Sequence, residues 1–229
     1  MSRADTEFAS IGNEAKAALQ SALTLRNYGN NEFIYLQEDD AEQLYFVRAG
    51  HVRLSQLLED GSAILFAILP PGEAFGELGV FERGLHCDMA TAVGSATVAS
   101  VSARTFRSLG QRHPELDQAL ARLVARRYRS YIELTRNLSL RSLSARLAQA
   151  VLRLADGLGT RMPYKGRDCA CIGSVVNQTD LGLMARGARG NVNRALKSWE
   201  RSGWIVTQNR SIIIVDRNKL ELLALQEDE

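Results

Sequence analysis

From Asn177 to Glu200 the chain reads NQTDLGLMARGARGNVNRALKSWE, and its apolar positions fall into two helical stripes separated by a glycine. Leu181 and Met184 make the first stripe; Val192, Leu196 and Trp199, spaced four and three apart, make the second. Asn177 can cap the first helix, with the Asp180 carboxylate three residues on. Gly187, inside the turn Ala185-Arg186-Gly187-Ala188, is expected to take a positive φ at no steric cost. The outer side of the second helix carries Arg189, Asn191, Asn193, Arg194 and Lys197. Two short helices, a glycine-bearing turn and a polar second helix describe a helix-turn-helix. Arg pairs with guanine O6/N7, Asn with adenine N6/N7 and Lys with phosphate. Asn177 and Gln178, at the start of the first helix, join these as candidate DNA contacts. An ordinary helical hairpin with a solvated face fits the same pattern. The segment that follows favours DNA: Trp204-Ile205-Val206 and Ile212 to Val215 read as two strands around the polar turn Gln208 to Ser211, a wing behind the second helix.

Upstream the periodicity changes twice. Residues 10–23 predict a helix. From Arg26 to Val101 the pattern is of short strands: Phe33 to Leu36, Gln43 to Val47, His51 to Leu57, Ala63 to Leu69, Met89 to Val93 and Ala96 to Val101, with turns expected at Gly50 and Asp60-Gly61. Many short strands at this spacing predict a β-barrel or jelly roll. Helices then return: Ala103 to Arg112, Glu115 to about Asn137, and Ser139 to Asp156, the last stopped by Gly157-Leu158-Gly159. The long helix shows Ala121, Val124, Tyr128, Tyr131, Thr135 and Leu138 at alternating steps of three and four, the seam that joins two copies of a helix. A second face, Leu116, Leu120, Leu123 and Leu134, suits packing within the chain; a helix buried on both faces inside one chain fits the spacing equally. Residues 160–175 read as an irregular or β connection. The division expected is an effector domain over 1–114, a dimerisation helix over 115–138 and a DNA-binding domain over 139–229.

Charge adds to this picture. The net charge of +2 hides 6 Lys and Arg against 14 Asp and Glu before residue 104, and 22 against 12 from residue 104 onward. An acidic front joined to a basic back suggests a regulatory module on a nucleic-acid-binding one. No stretch approaches the ~18–20 uncharged apolar residues of a membrane span, and MSRADTEFAS lacks a signal-peptide core, so the expected place is the cytoplasm, with no membrane partner. Three cysteines suit a reducing compartment. No nucleophile–base pair or metal motif supports an enzyme.

The order β-roll, long helix, winged helix-turn-helix resembles the Crp/Fnr family of transcriptional regulators, over about residues 15 to 215. The resemblance is most specific at Gly72-Glu73-Ala74-Phe75-Gly76-Glu77-Leu78-Gly79, at Asn177 to Glu200 and at the wing. It implies an α+β chain: a cyclic-nucleotide-binding-like β-roll (a double-stranded β-helix or jelly roll), a long dimerisation helix and a DNA-reading winged domain. It also implies a homodimer on the two-fold-related half-sites of double-stranded DNA, with RNA polymerase as a further partner.

Two departures matter. Family members that bind cyclic nucleotide follow Gly-Glu-Leu, here Gly76-Glu77-Leu78, with an Arg and a Ser or Thr; this chain has Cys87 and Asp88. The cation that pairs with the cyclic phosphate is gone, and Asp88 sets an anion against an anion. The adenine-facing hydroxyl positions match Tyr131 and Ile132. These residues argue against cyclic AMP and leave Glu77 as a structural acceptor. Three scattered cysteines argue against an iron–sulfur cluster. His86-Cys87 leaves haem ligation open, and Cys169-Ala170-Cys171 places two thiols on one side of a strand, as a redox pair or as small core residues. A different small effector, or none, fits as well. In the second helix Arg189 and Arg194 match the arginines of the cyclic-AMP-responsive pattern, whereas Gly190 stands where that pattern has a cytosine-directed Glu. The other functional reading is an effector-binding or protein-interaction module with a degenerate DNA-binding domain, separable by salt-dependent binding to duplex DNA.

Overall fold

A computed structural model describes residues 7–139 and 142–225 of the chain. Residues 1–6 of the polar N-terminal stretch, and Leu140 and Arg141 of the helix expected from Ser139, lie outside it. The chain divides into two compact units, residues 1–61 with 68–131 and residues 62–67 with 132–229.

The first half runs α1 (Asn13–Ala22), β1 (Thr24–Tyr28), β2 (Phe33–Tyr35), β3 (Gln43–Leu57), β4 (Ala63–Leu69), β5 (Ala74–Phe75), α2 (Leu78–Phe81), β6 (Met89–Ser102), α3 (Ala103–Arg112) and α4 (Pro114–Ser139). Its six-stranded sheet has the order β1-β6-β3-β4, with β2 also on β6 and β5 on β3. Two expectations need correcting. Gly50 is no turn: β3 passes straight through it, with shifts in register against β6 on either side of Ala49. Gly50 sits at φ +73°, and a Cβ there would lie 2.2 Å from the Ser95 carbonyl oxygen, so it marks a bulge that only glycine fits. Likewise Met89 to Val93 and Ala96 to Val101 are one strand, β6. Strands β1 and β5 and the four-residue α2 carry too little periodicity to stand out in the sequence.

The core of this unit forms where one sheet face meets three helices. Leu44, Phe46 and Val101 pack with Ala15 and Leu19 of α1, Phe106 of α3 and Leu116, Leu120 and Leu123 of α4. The second face of α4 is therefore internal, as its spacing suggested, while the expected seam is not: Ala121, Tyr128 and Thr135 are exposed, and Val124, Tyr131 and Leu138 half-buried.

The second half contains α5 (Leu143–Leu158), β7 (Arg161–Tyr164), β8 (Arg167–Ile172), α6 (Gln178–Ala185), α7 (Arg189–Arg201), β9 (Ile205–Gln208), β10 (Ser211–Ile214) and α8 (Arg217–Leu225). Helix α5 starts on Ser142, whose Oγ accepts from Ala145 N, and stops at Gly159 in the left-handed region. The connection at 160–175 is a β-hairpin that widens the wing into a four-stranded sheet, β7-β8-β10-β9. Helix α8 lies beyond the stretch whose resemblance set expectations. It buries Leu220 and Ala224, and its Arg217 forks onto both oxygens of Asp156 at 2.7 Å.

Candidate functional site

The helix-turn-helix is built from local signals. Asn177 Oδ1 accepts from Thr179 N (2.8 Å) and Asp180 N (3.0 Å), while Asp180 Oδ2 accepts from Asn177 N (2.9 Å), closing a reciprocal capping box. Leu181 and Met184 of α6 and Val192, Leu196 and Trp199 of α7 are buried, so both stripes face inward. The turn differs from expectation. Arg186, not Gly187, takes the left-handed conformation, at φ 48°. Gly187 instead lies against the Leu143 side chain, whose methyl groups would have to move to make room for a Cβ. Replacing Asn177 with Ala leaves two N–H groups of α6 without their acceptor. It is expected to cost about 1 kcal/mol in urea unfolding, and an unchanged midpoint would show that water caps the helix as well.

With the apolar stripe inside, Arg189, Gly190, Asn191, Arg194 and Lys197 are exposed. Asn191 Oδ1 accepts from Arg194 Nη2, one turn on, which orients that guanidinium. Asn193 is less free than expected: its Oδ1 accepts from Gln178 Nε2 at 3.3 Å, tying α7 to α6. Asn177 likewise uses its carbonyl oxygen as a cap. A Cβ on Gly190 would meet nothing within 4 Å, which leaves open space on this face.

The wing supplies a residue that the sequence pattern did not single out. Strands β9 and β10 pair from Ser211 opposite Gln208 to Ile214 opposite Ile205, leaving the two-residue turn Asn209-Arg210. Both take positive φ, 49° and 63°, the type I′ geometry that matches strand twist. Asn209 between β-branched runs was the available signal. Arg210 and residues of α6 and α7, among them Gln178, Arg189, Asn193 and Lys197, line one groove. Glu200 Oε1, in the same groove, accepts from Thr207 N at 2.9 Å and links α7 to the wing. Among the described residues none of Arg189, Arg194, Lys197 and Arg210 has a carboxylate partner. Arg189, Lys197 and Arg210 around this groove, with Arg194 exposed on the same helix, are not spent on an internal ion network and have the chemistry for phosphate and base contacts.

The β-roll carries the second candidate site. A cavity of about 220 Å³ is lined by Gly76, Glu77 and Leu78, by His86, Cys87 and Asp88, and by Val124, Arg127, Tyr128 and Tyr131 of α4. Every candidate effector residue is brought together there. Arg127 was not singled out in the sequence: in a helix rich in arginine nothing local distinguishes it. It is buried, donates from Nη2 to the Ala74 carbonyl at 2.8 Å, and stands 3.9 Å from Glu77 Oε1. Asp88 is buried as well. Its Oδ1 accepts from Tyr35 Oη at 3.0 Å, and burial pushes its carboxyl up to about 6 despite that bond, with Glu77 adding to the rise. His86 stacks flat on Tyr35, ring centres 3.6 Å apart, and its Nε2 is buried with no hydrogen-bond partner. Burial lowers the pKa of this imidazole, keeping it neutral.

The cysteines stand apart from one another in role. Cys87 is exposed, with its thiol pushed up by partial burial and by Asp88, while Cys171 of β8 is fully buried and raised by burial. Burial of Cys171 favours the small-core-residue reading of Cys169-Ala170-Cys171. Among the described residues no group of three or more His, Cys, Asp or Glu is placed to hold a metal ion.

Comparison with known proteins matches a family to a region of each unit. Residues 25–113 match the cyclic nucleotide-binding domain family, and residues 145–223 the Crp-like helix-turn-helix domain family. The chain is similar to the CRP-like cAMP-activated global transcriptional regulator of Mycobacterium tuberculosis, 26% identical over 213 residues and 93% of each chain. It is similar also to the cAMP-activated global transcriptional regulator CRP of Escherichia coli O6:H1, 27% identical over 83% of this chain and 89% of that one. Among solved structures, a CRP-family transcriptional regulator of Thermus thermophilus is 27% identical with a TM-score of 0.70, covering 89% of this chain and 98% of its own. FixK2 of Bradyrhizobium japonicum shares the fold at a TM-score of 0.75 and 23% identity, over 90% and 99% of the two chains.

Proposed function

Because the chain belongs to the Crp/Fnr family and is a Crp-like DNA-binding transcriptional regulator, we propose that it acts as a homodimer that reads two-fold-related half-sites through α7, under an effector other than cyclic AMP. The observation that supports this reading is the groove of α6, α7 and the wing, where among the described residues Arg189, Lys197 and Arg210 stand without carboxylate partners, with Arg194 exposed on the same helix α7. In the proposed docking α7 enters the major groove, Arg189 and Arg194 read base edges, Asn191 braces Arg194, and Lys197 and Arg210 hold phosphates. RNA polymerase is the partner expected of the bound dimer, and the cytoplasm its place. No helix among the described residues is long and apolar enough to cross a membrane.

Dimerisation is supported by what α4 leaves uncovered. Tyr128 is 65% exposed and Ile132 45%, and on α2 and just after it Leu78, Phe81 and Leu85 are 47%, 58% and 58% exposed. Exposed apolar side chains of this size are what a dimer interface would cover. Electrophoretic mobility shifts on random duplex DNA at rising salt test the reading of DNA first: affinity falls steeply with salt if the groove neutralises phosphates, and a protein that binds no duplex at any salt contradicts it.

The effector pocket departs from the pattern of cyclic-nucleotide binders. Arg127 supplies one cation, but Glu77 and the Ala74 carbonyl already hold it, and Asp88 occupies the side where a phosphate-pairing Arg is missing. Calorimetric titration with cyclic AMP is expected to show no binding at micromolar concentrations. The double change Cys87→Arg, Asp88→Ser restores a cation and a hydroxyl and is expected to gain measurable affinity. Tight binding by the unmodified protein would overturn this reading of the pocket.

A further inference from the structure

We propose that the β-roll cavity takes a small organic cation with an apolar body, whose N–H groups meet the Asp88 carboxylate. The inference rests on reading the β-roll as an effector domain and names the chemistry of what that domain binds. Besides His86, three buried ionisable side chains line the cavity, Glu77, Asp88 and Arg127, and their pairing is unequal. Arg127 and Glu77 face each other across 3.9 Å, and the guanidinium is further held by the Ala74 carbonyl. Asp88 has only a neutral partner, the Tyr35 hydroxyl at 3.0 Å. It is 9% exposed, and the one opposite charge that acts on it, Arg127, stands in ion-pair range of Glu77 and donates to the Ala74 carbonyl. A buried carboxylate in that position favours either a proton or a cation.

Two further observations point to a ligand that donates hydrogen bonds. His86 is 6% exposed, lines the same cavity, and leaves Nε2 buried without a partner; a neutral imidazole has a nitrogen that can accept. The α4 wall of the cavity presents Tyr128 and Tyr131, and faces of tyrosine rings attract cations. An anion, by contrast, meets two carboxylates and an arginine already engaged. The rest of the lining, Ala41, Leu78, Leu85 and Val124, suits an apolar body.

Binding would be linked to the proton on Asp88. The groups that face it are Tyr35 of β2, Glu77, His86 and Cys87 beside it in the chain, and Arg127 and Tyr131 of α4. Tyr35, Cys87 and Tyr131 are all raised and stay neutral near pH 7. With the Asp88 carboxyl pushed up to about 6, lowering the pH through that value adds its proton and removes the attraction. Protonation of His86, which burial disfavours, acts in the same direction. Cation affinity therefore rises from acid to neutral pH.

The test uses three probes with one ring and three charges: benzamidinium, benzamide and benzoate, each at about 10 mM with the full-length protein, read as a shift in melting temperature. Benzamidinium is expected to stabilise the protein while benzamide and benzoate do not, with the effect shrinking from about pH 8 to about pH 5. Asp88→Asn, which keeps an acceptor for Tyr35, is expected to weaken benzamidinium binding about tenfold or more. If that variant does not fold, the pH profile of the unmodified protein carries the same test. Equal stabilisation by benzoate, a benzamidinium effect that survives Asp88→Asn, or no effect from any probe overturns the proposal. Duplex DNA binding measured on the same preparation separates the two readings. DNA binding without a cation effect sinks the ligand class alone, and a cation effect without DNA binding sinks the regulator reading alone.

Discussion

Tyr128→Glu is expected to turn the protein into a monomer at micromolar concentrations in analytical ultracentrifugation, and to remove its specific DNA binding with it. The substitution falls at the centre of the α4 seam, between Val124 and Tyr131, at a side chain 65% exposed in the single chain. An apolar side chain of this size contributes roughly 1.5–3 kcal/mol when it is buried. The two-fold symmetry of a dimer doubles the loss and sets one glutamate near the other. Neither carboxylate has a cation to pair with in the seam, since Ala121, Val124, Tyr131, Thr135 and Leu138 are uncharged. Burying an unpaired charge costs several kcal/mol. Together these weaken the dimer more than about 100-fold. DNA binding follows because each α7 reads only half a site, and a monomer loses the second half's contribution. Fold integrity is checked independently, because Tyr128 takes no part in the core that Leu116, Leu120 and Leu123 make. An unchanged dimer would show that the seam lies elsewhere on the surface.

Arg194→Ala is expected to cost about 1–3 kcal/mol at a single base pair of each half-site and to relax preference there. Arg194 is exposed on α7, braced by Asn191 and free of carboxylates. A guanidinium held in one orientation is suited to the paired acceptors of guanine. Lys197, about one helical turn nearer the C-terminus, behaves differently. Lys197→Ala is expected to weaken binding to every sequence alike and to lower the salt slope by about one unit, because a lysine on phosphate is read through counterions and not through base identity. Competition binding on single-base operator variants, repeated at two salt concentrations, distinguishes the two behaviours. If Arg194→Ala acts on all sequences equally, that arginine holds phosphate.

What could be read from the sequence was what local chemistry determines. The capping box of Asn177 and Asp180 needs only residues three apart, and the stripe of Val192, Leu196 and Trp199 only one helix. The β-roll could be recognised as a class of fold. The continuity of β3 and β6 could not, because a glycine in a bulge and a glycine in a turn look alike until the partner strand is in place. The close approach of Gly187 to Leu143 joins residues far apart in sequence and gave no local sign. The two-residue wing turn carries the same lesson at Arg210, which becomes a groove residue only when β9 and β10 pair.

The effector cavity divides in the same way. Cys87 and Asp88 were visible as departures because they sit at fixed spacing from Gly76-Glu77-Leu78. Their surroundings were not. Arg127 pairs with a carbonyl 53 positions earlier, and Asp88 with a hydroxyl 53 positions away. Among the arginines of Ala-Arg-Leu-Val-Ala-Arg-Arg-Tyr-Arg only Arg127 is buried, and only the packing of α4 in the β-roll unit selects it. Missing Arg127 made the pocket look emptier of cations than it is. Because Glu77 and the Ala74 carbonyl already engage it, Arg127 does not replace the missing phosphate-pairing cation.

If α7 reads DNA through Arg189 and Arg194 in a symmetric dimer, the bound sequences themselves must carry that geometry. Selection of bound sites from random duplexes, carried out side by side with the unmodified protein and Arg194→Ala, reads it out directly. The unmodified protein is expected to select a two-fold-symmetric motif with two guanines per half-site, one for each arginine. The variant is expected to lose one guanine in each half while keeping the spacing. Recovery of the same motif with equal stringency by both proteins, or of a motif with no two-fold symmetry, would contradict a dimer that reads DNA in this way.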